Sequence, residues 1–430
     1  MARTLLRFAS VSLVGALVAL AACAPQPPAV VLLKADGVTR LSVQTGDYDA
    51  QLEALNASAR KLGDALLTDG GDSTSGNVVV SPASLLIALG MLRAGTSGAT
   101  AAEMDAVLGL PAEGRDEAMN ALLTSLEKYD GDPGSVDEDN PPRKPVMHAA
   151  NGLFVERSTP TGQDFLATLG RQYGTGVYPV SFQDEAATKP AIDRWVNDNT
   201  GGRIKEAPAG YDPKNTFSLV NALYFAAAWQ TPFSANDTYD RPFTKAGGEV
   251  VNVPTMGETV SMKYAEAAGW KAVDLPYAEG FVMRLVLPDA GTPGSDSPAA
   301  VSAEVLAGVE KSLAEAPSDV VTIALPKWDH KTTFDLRKVF ASLGLKEMLA
   351  TESDFDAIQG GMRLTQAAQA ANIKVAEKGT VAAAVTQINA TDSAGTASER
   401  EIILDHPFHY QIVHSETGLP LFTGWVADPR

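Results

Sequence analysis

Val375-Ala-Glu-Lys-Gly-Thr-Val-Ala-Ala-Ala-Val-Thr386 is the stretch around which the chain reads. Up to Glu377 it alternates as a strand does, then passes through Gly379, Thr380, the consecutive alanines Ala382, Ala383 and Ala384, and Thr386. Residues 387–400 hold one large apolar side chain, Ile388, among small and polar ones. Strand pattern returns at Glu401-Ile-Ile-Leu404. A strand therefore leads into a long small-residue segment and out into another strand. Segments of this length without structure of their own are uncommon in compact domains and are usually functional or disordered. Alanine and threonine lose little when exposed, yet fit a sheet interior where a bulky side chain would clash. That suits a segment that must leave solvent and become a strand. On composition alone the stretch also reads as an alanine-rich surface loop of the kind where insertions collect.

The chain has 430 residues, 45% of them hydrophobic, enough to bury a large core. Lys plus Arg number 34 against 52 for Asp plus Glu, a net charge of −18, and no basic run stands out. Nucleic acid and anionic glycans are thus poor partners. Arg3 and Arg7 precede an apolar run from Val11 to Leu20, followed by Ala21, Ala22 and Cys23. A charged start, a short apolar middle and small residues make a secretory signal, and the run is short for a membrane span. Cys23 is the sole cysteine, so no intramolecular disulfide forms. Its setting resembles the lipobox of bacterial lipoproteins, which implies a signal peptide over residues 1–22 and a lipidated N-terminus at Cys23. The protein is then expected to be exported and lipid-anchored to a bacterial cell membrane, facing outside the cytoplasm. Residues 23–47 read as that N-terminus and its tether, with a span of roughly 27 Å if flexible.

Leu52, Leu55, Ala59, Leu62 and Leu66 recur at helical spacing and predict a helix over residues 48–67, ended by Gly70-Gly71. Asn77-Val-Val-Val80 predicts a short buried strand; Ser81 then caps a nearly all-apolar helix with Pro82 at its first position. Thr100-Ala-Ala-Glu103 reads as a capping box. Residues 130–145, with five acidic side chains, read as a surface insertion. Residues 217–229 fit a central strand, 250–287 a strand-rich middle, and 334–343 another helix. The end is a hairpin turning at residues 415–418. Helices come early and strands late with mixed order between, so the class is α+β.

In this order the pieces resemble the serpins, over residues 48–430. Asn77-Val-Val-Val-Ser-Pro-Ala-Ser-Leu-Leu86 is similar to the family's strand-to-second-helix segment. Ala191-Ile-Asp-Arg-Trp-Val-Asn-Asp-Asn-Thr-Gly-Gly-Arg-Ile204 resembles its sixth helix and exit, and Leu219-Val-Asn-Ala-Leu-Tyr-Phe225 with Trp229 a central strand. Leu325-Pro-Lys-Trp328, Ser353-Asp-Phe355, His406-Pro-Phe408 and the final Leu421-Phe-Thr-Gly-Trp-Val-Ala-Asp-Pro429 follow in turn. Each fragment alone is weak; the ordered set is specific. The resemblance implies about eight to nine helices around three β-sheets, with an exposed reactive-centre loop. It implies a suicide-substrate inhibitor of serine proteases, not an enzyme, with no cofactor and no metal, and a monomer. A protease attacks the loop as substrate, and the freed hinge inserts into the main sheet before deacylation; serpin loop insertion is itself a named instance of strand addition.

Glu377, Gly379, Thr380, Ala382, Ala383, Ala384 and Thr386 then correspond to the hinge. Thr380, Ala382, Ala384 and Thr386 share the core-facing parity, and none is charged or bulky. About 14 inserted residues at roughly 3.3 Å each would carry a tethered protease some 45 Å. Ladder hydrogen bonds at about 0.5–1.5 kcal/mol each would supply roughly 10 kcal/mol. Counted as in the family, the scissile bond is Ser393–Ala394, with Asp392 and Thr391 as alternative reactive residues. Small residues there favour an elastase-like or subtilisin-like target; a cysteine or aspartate-directed protease stays open. Ser81, Ser84 and Asn221 match the shutter under the sheet, and Trp229 the sheet top. Gln369 stands where many members have histidine, and it would not titrate near neutral pH. Alanines 226–228 replace lysines usual in the family.

Two S-x-x-K matches, Ser58 with Lys61 and Ser125 with Lys128, lack the partner motifs of penicillin-binding enzymes. His406 and His409 have metal-like spacing, but the proline between them and the strand context favour packing. The other function considered is a non-inhibitory serpin acting as a cell-surface binding or scaffold protein.

Overall fold

Leu52, Leu55, Ala59, Leu62 and Leu66 are buried along one face of α1 (Asp49–Asp69), and Gly70, at φ 77°, stops the helix in the left-handed region. The computed structural model describes residues 29–208, 211–291, 294–350, 354–380 and 400–430. The other helices among them are α2 (Pro82–Arg93), α3 (Gly98–Leu108), α4 (Arg115–Glu127), α5 (Gln163–Thr168), α6 (Glu185–Asn199), α7 (Ala303–Glu315) and α8 (Leu336–Leu343). The strands are β1 (Val78–Val80), β2 (Val146–Glu156), β3 (Tyr178–Val180), β4 (Phe217–Ala228), β5 (Thr238–Thr244), β6 (Val250–Ala267), β7 (Trp270–Pro276) and β8 (Phe281–Pro288). They continue with β9 (Ser318–Pro326), β10 (Trp328–Asp335), β11 (Gln366–Ala376), β12 (Gly379–Thr380), β13 (Arg400–Ile403), β14 (Phe408–His414) and β15 (Pro420–Val426).

Six strands run β10-β11-β12-β4-β2-β3; the other nine run β1-β15-β14-β8-β7-β6-β9-β13, with β5 on β6. Hydrogen bonding joins what were expected as two further sheets, because the 18-residue β6 serves both. Its first half pairs with β5, its middle with β9 and its end with β7. The apolar α2 lies between the sheets with every residue but Arg93 buried. Ser81 caps it as expected, accepting from Ser84 N at 3.2 Å.

Four expectations change. Thr100 and Glu103 form no capping box; α3 begins at Gly98. Thr100 Oγ1 accepts from Asp354 N, and the Glu103 carboxylate takes the N–H groups of Lys346, Glu347 and Met348 at 2.8–3.0 Å. Both side chains serve a distant turn. The expected helix from residue 334 is strand β10 first, with His330 and Thr332 buried in the alternation, and Asp335 caps α8. The segment read as tether is seated on the domain from Leu33 onward. Leu33 exchanges both backbone bonds with Val177, and Leu41 N donates to Arg171 O at 2.9 Å. Arg40 reaches Asn120 and pairs with Glu127. Finally, residues 130–145 are not a free insertion: Pro133, Pro141 and Pro145 are buried, and Val136 rests on Tyr224 and Ala226 of β4.

Burial holds three histidines below the ordinary 6.5: His330 at about 4, His414 at about 4 and His409 at about 3. The unfolded chain takes up these protons as pH falls below 6.5, whereas the folded chain resists until near 4. Their contribution is therefore complete above pH 6.5 and lost progressively as the pH falls toward 4. The thermal midpoint should fall between pH 6.5 and 4 more gently in His409→Gln than in the native chain; equal slopes would contradict this.

Candidate functional site at the split of the six-stranded sheet

β11 and β4 are parallel and pair directly over four residues, from Gln366 opposite Ser218 to Gln369 opposite Asn221. Beyond that they part. β12 lies between their upper ends, antiparallel to both: Thr380 faces Val375 and Ala227, and Gly379 faces Ala376 and Ala228. Among the described residues, 370–374 and 222–226 have no ladder partner across the split.

The turn that starts the hinge is pinned by its carbonyls. Trp229 Nε1 donates to Ala376 O at 2.9 Å, Phe233 N to Glu377 O at 2.8 Å, and Trp229 N to Lys378 O at 3.0 Å. Glu377 sits 2.9 Å from Lys327 Nζ and accepts from Thr238 Oγ1 at 3.2 Å. Gly379 is required: a Cβ there would collide with the Ala227 carbonyl and lie 2.9 Å from Ala228 Cα. Thr380 is fully buried, and its hydroxyl meets that of Tyr277. Tyr277 stacks on Trp229, ring centroids 4.4 Å apart, and burial pushes its phenol far above the ordinary range, so it stays protonated. Lys378 Nζ donates to Asp139 O and Asn140 Oδ1 at 3.1 and 2.8 Å, and Ala228 N to Pro142 O at 2.9 Å. The small Ala226 and Ala228 thus have a use: the 130–145 connection lies against them.

Where β11 and β4 part, uncharged amides and hydroxyls gather at the start of α2. Gln369 Oε1 accepts from Ser81 N and its Nε2 donates to Ser81 O, both at 2.9 Å. Ser81 Oγ donates to Leu421 O at 2.8 Å. Ser84 Oγ (3.3 Å) and Asn221 Nδ2 (2.7 Å) both donate to Asn151 Oδ1. Asn221 Oδ1 is buried with no donor. The structure thus brings together Ser81, Ser84, Asn221 and Gln369 below, and Glu377, Gly379, Thr380 and Trp229 above. Ala382, Ala383, Ala384, Thr386, Thr391, Asp392, Ser393, Ala394 and Cys23 lie outside the described residues. Sequence reasoning passed over Asn151, Tyr277 and Lys327. The usable signal for Asn151 was a lone amide inside an apolar strand.

The set-aside motifs are otherwise engaged. Ser58 Oγ and Lys61 Nζ donate to the Leu108 and Val107 carbonyls, and Lys128 pairs with Glu416. His406 and His409 bond Pro288 O and Thr423 Oγ1.

A family model described as "Serpin (serine protease inhibitor)" matches residues 56–429. A serpin-like protein of Thermococcus kodakarensis is 32% identical over 363 residues, covering 82% of this chain and 81% of its own. Plasminogen activator inhibitor 1 of Sus scrofa is 30% identical, covering 82% of this chain and 87% of its own. Among solved structures, the native thermophilic serpin tengpin superposes with a TM-score of 0.77 at 22% identity, covering 93% of this chain and 100% of that one.

Gln369→Ala strands the Ser81 N–H, at about 1–3 kcal/mol, and leaves a void where a buried side chain stood; the Ser81 carbonyl keeps the Leu85 N–H. Lys327→Ala breaks a partly exposed pair and costs about 1–2 kcal/mol. Urea unfolding should rank Gln369→Ala as the more damaging change; the reverse order would show that the lower cluster does not close the split.

Proposed function

The chain belongs to the serpin family, whose members are mostly serine protease inhibitors, and we propose that it inhibits such proteases as a suicide substrate. The observation that carries this reading is β12: a hinge already lodged between two parallel strands, above a stretch where, among the described residues, neither has a partner across the split. Continued in the same register, position 382 falls between Phe225 and Ile373, 384 between Leu223 and Ala371, and 386 between Asn221 and Gln369. The flanking Phe225, Ile373 and Leu223 are buried in the core beneath, so small side chains are needed at 382 and 384. Position 386 is threonine, whose hydroxyl can donate to the unpartnered Asn221 Oδ1. The residues of 380–386 therefore suit a strand inserted between β4 and β11.

The target favoured by Ser393–Ala394 and its neighbours is an elastase-like or subtilisin-like serine protease. The acyl-enzyme is held while the cleaved loop inserts, and the displacement disturbs a catalytic arrangement that depends on ångström-level positioning. We place the inhibitor outside the cytoplasm as a monomer, held to a bacterial membrane through Cys23.

The body from Ala24, mixed with either protease, should give a denaturation-resistant band of summed mass, with a new N-terminus at Ala394. Thr380→Arg should abolish the band and leave simple cleavage, because Thr380 has no room for a charged side chain. Cleavage without any complex in the unaltered chain would instead support a binding or scaffold protein. Cys23→Ser should move the full chain from the membrane to the soluble fraction; unchanged fractionation would rule out the anchor.

A further inference from the structure

Arg203 lies in the connection between α6 and β4. Its Nη1 donates to Asn372 Oδ1 on β11 at 2.8 Å, and its Nε stands 3.6 Å from Glu138 Oε1. The side chain is 12% exposed, and Nε is buried without a hydrogen-bond acceptor. Asn372 is itself fixed: its Nδ2 donates to Asp329 Oδ1 at 2.9 Å and to His330 O at 3.0 Å, so Oδ1 faces Arg203. Glu138 belongs to the 130–145 connection, whose Val136 packs on Tyr224. Burial first, then Glu138, pushes the Tyr224 phenol up to about 12, with Arg203 opposing. In the register of the split, Tyr224 and Asn372 are opposite each other, flanking position 383.

The anchors sit on different parts of the sheet. α6, the 130–145 connection and the chain around Arg203 ride on β2, β3 and β4. Asn199 Oδ1 holds His148 Nε2 at 2.8 Å, Ala207 N donates to Asp193 Oδ1 at 2.8 Å, and Gly201 lies against Pro133. Asn372, Asp329 and His330 ride on β10 and β11. The bond from Arg203 to Asn372 therefore crosses the split over its unpaired stretch. A strand entering there must widen the separation of β4 and β11 at that level, by up to one strand spacing, about 4.8 Å. A 2.8 Å bond between side chains fixed on the two parts cannot survive that movement.

We infer that Arg203 is a bolt across the outer face of the split, a positioning residue that sets how fast the hinge advances past Thr380. The inference rests on the loop-insertion reading above. Its under-satisfied Nε makes the bolt easier to draw than a fully bonded guanidinium would be.

The test separates insertion from inhibition. The purified body is clipped in the loop with a broad-specificity protease in the cold, the protease is quenched, and the gain of thermal stability is followed in time. Arg203→Met keeps the stem and removes both ties; its gain should be roughly tenfold faster than in the native chain. Asn372→Ala should be several-fold faster, and the double variant no faster than Arg203→Met alone. Asn372→Ala, which removes the acceptor on the far side of the split, carries the test if Arg203→Met does not fold. Folded variants inserting at the native rate, or effects that simply add, would overturn the bolt while leaving insertion intact. No stability gain in the native chain after clipping would overturn both readings.

Discussion

β4 and β11 pair for four residues and then part, and the site is arranged around that parting. Parallel strands held at one end and wedged at the other cannot complete a ladder between them. Among the described residues, the backbone groups that face the split lack the partners a closed sheet would supply, an arrangement that costs free energy when buried. The molecule tolerates it because both ends are closed by specific side chains. Below, Gln369 meets the peptide of Ser81 from both sides. Above, Trp229, Phe233 and Lys327 hold the turn of the hinge. Neither closure uses a disulfide; hydrogen bonds make the lower one, and the upper adds the buried Trp229–Tyr277 stack.

The two faces of the split use different chemistry. On the inner face, Ser81, Ser84, Asn151, Asn221 and Gln369 are uncharged, as burial next to the apolar core demands. Charged groups stand on the outer face and at the top: Glu377 with Lys327, Arg203 with Glu138, and Lys378 against Asn140.

Much of this was legible in the sequence. The hinge announced itself by small residues after a strand, and Ser81-Pro82 marked the start of α2. Gln369 and Asn221 were placed by resemblance and are register partners at the point of parting. What was missed shares a cause: side chains whose partners are far along the chain. Glu103 fits a local capping box but is engaged by residues 346–348, more than two hundred positions on. β10 hid because the buried positions of its alternation include His330 and Thr332, which read as polar. Arg203 looked like the ordinary exit of a helix, and its partners Glu138 and Asn372 come from segments that no local pattern links. The docked residues 33–41 lack periodicity because they form one isolated β-bridge and a turn at Asp36–Gly37 rather than a helix or strand.

The last strands carry a consequence of their own. β14 lies between β15 and β8, and β15 between β14 and β1, with every residue of both buried. A cut anywhere in 381–399 leaves this C-terminal piece as a separate polypeptide, with β15 and β14 paired on both sides within the nine-stranded sheet and β13 at its edge. Such a nick changes covalent connectivity without shedding mass. The cleaved protein would keep its native hydrodynamic size and separate into two chains only on denaturation. A loss of activity could thus pass unseen in any assay that measures the amount or size of native protein.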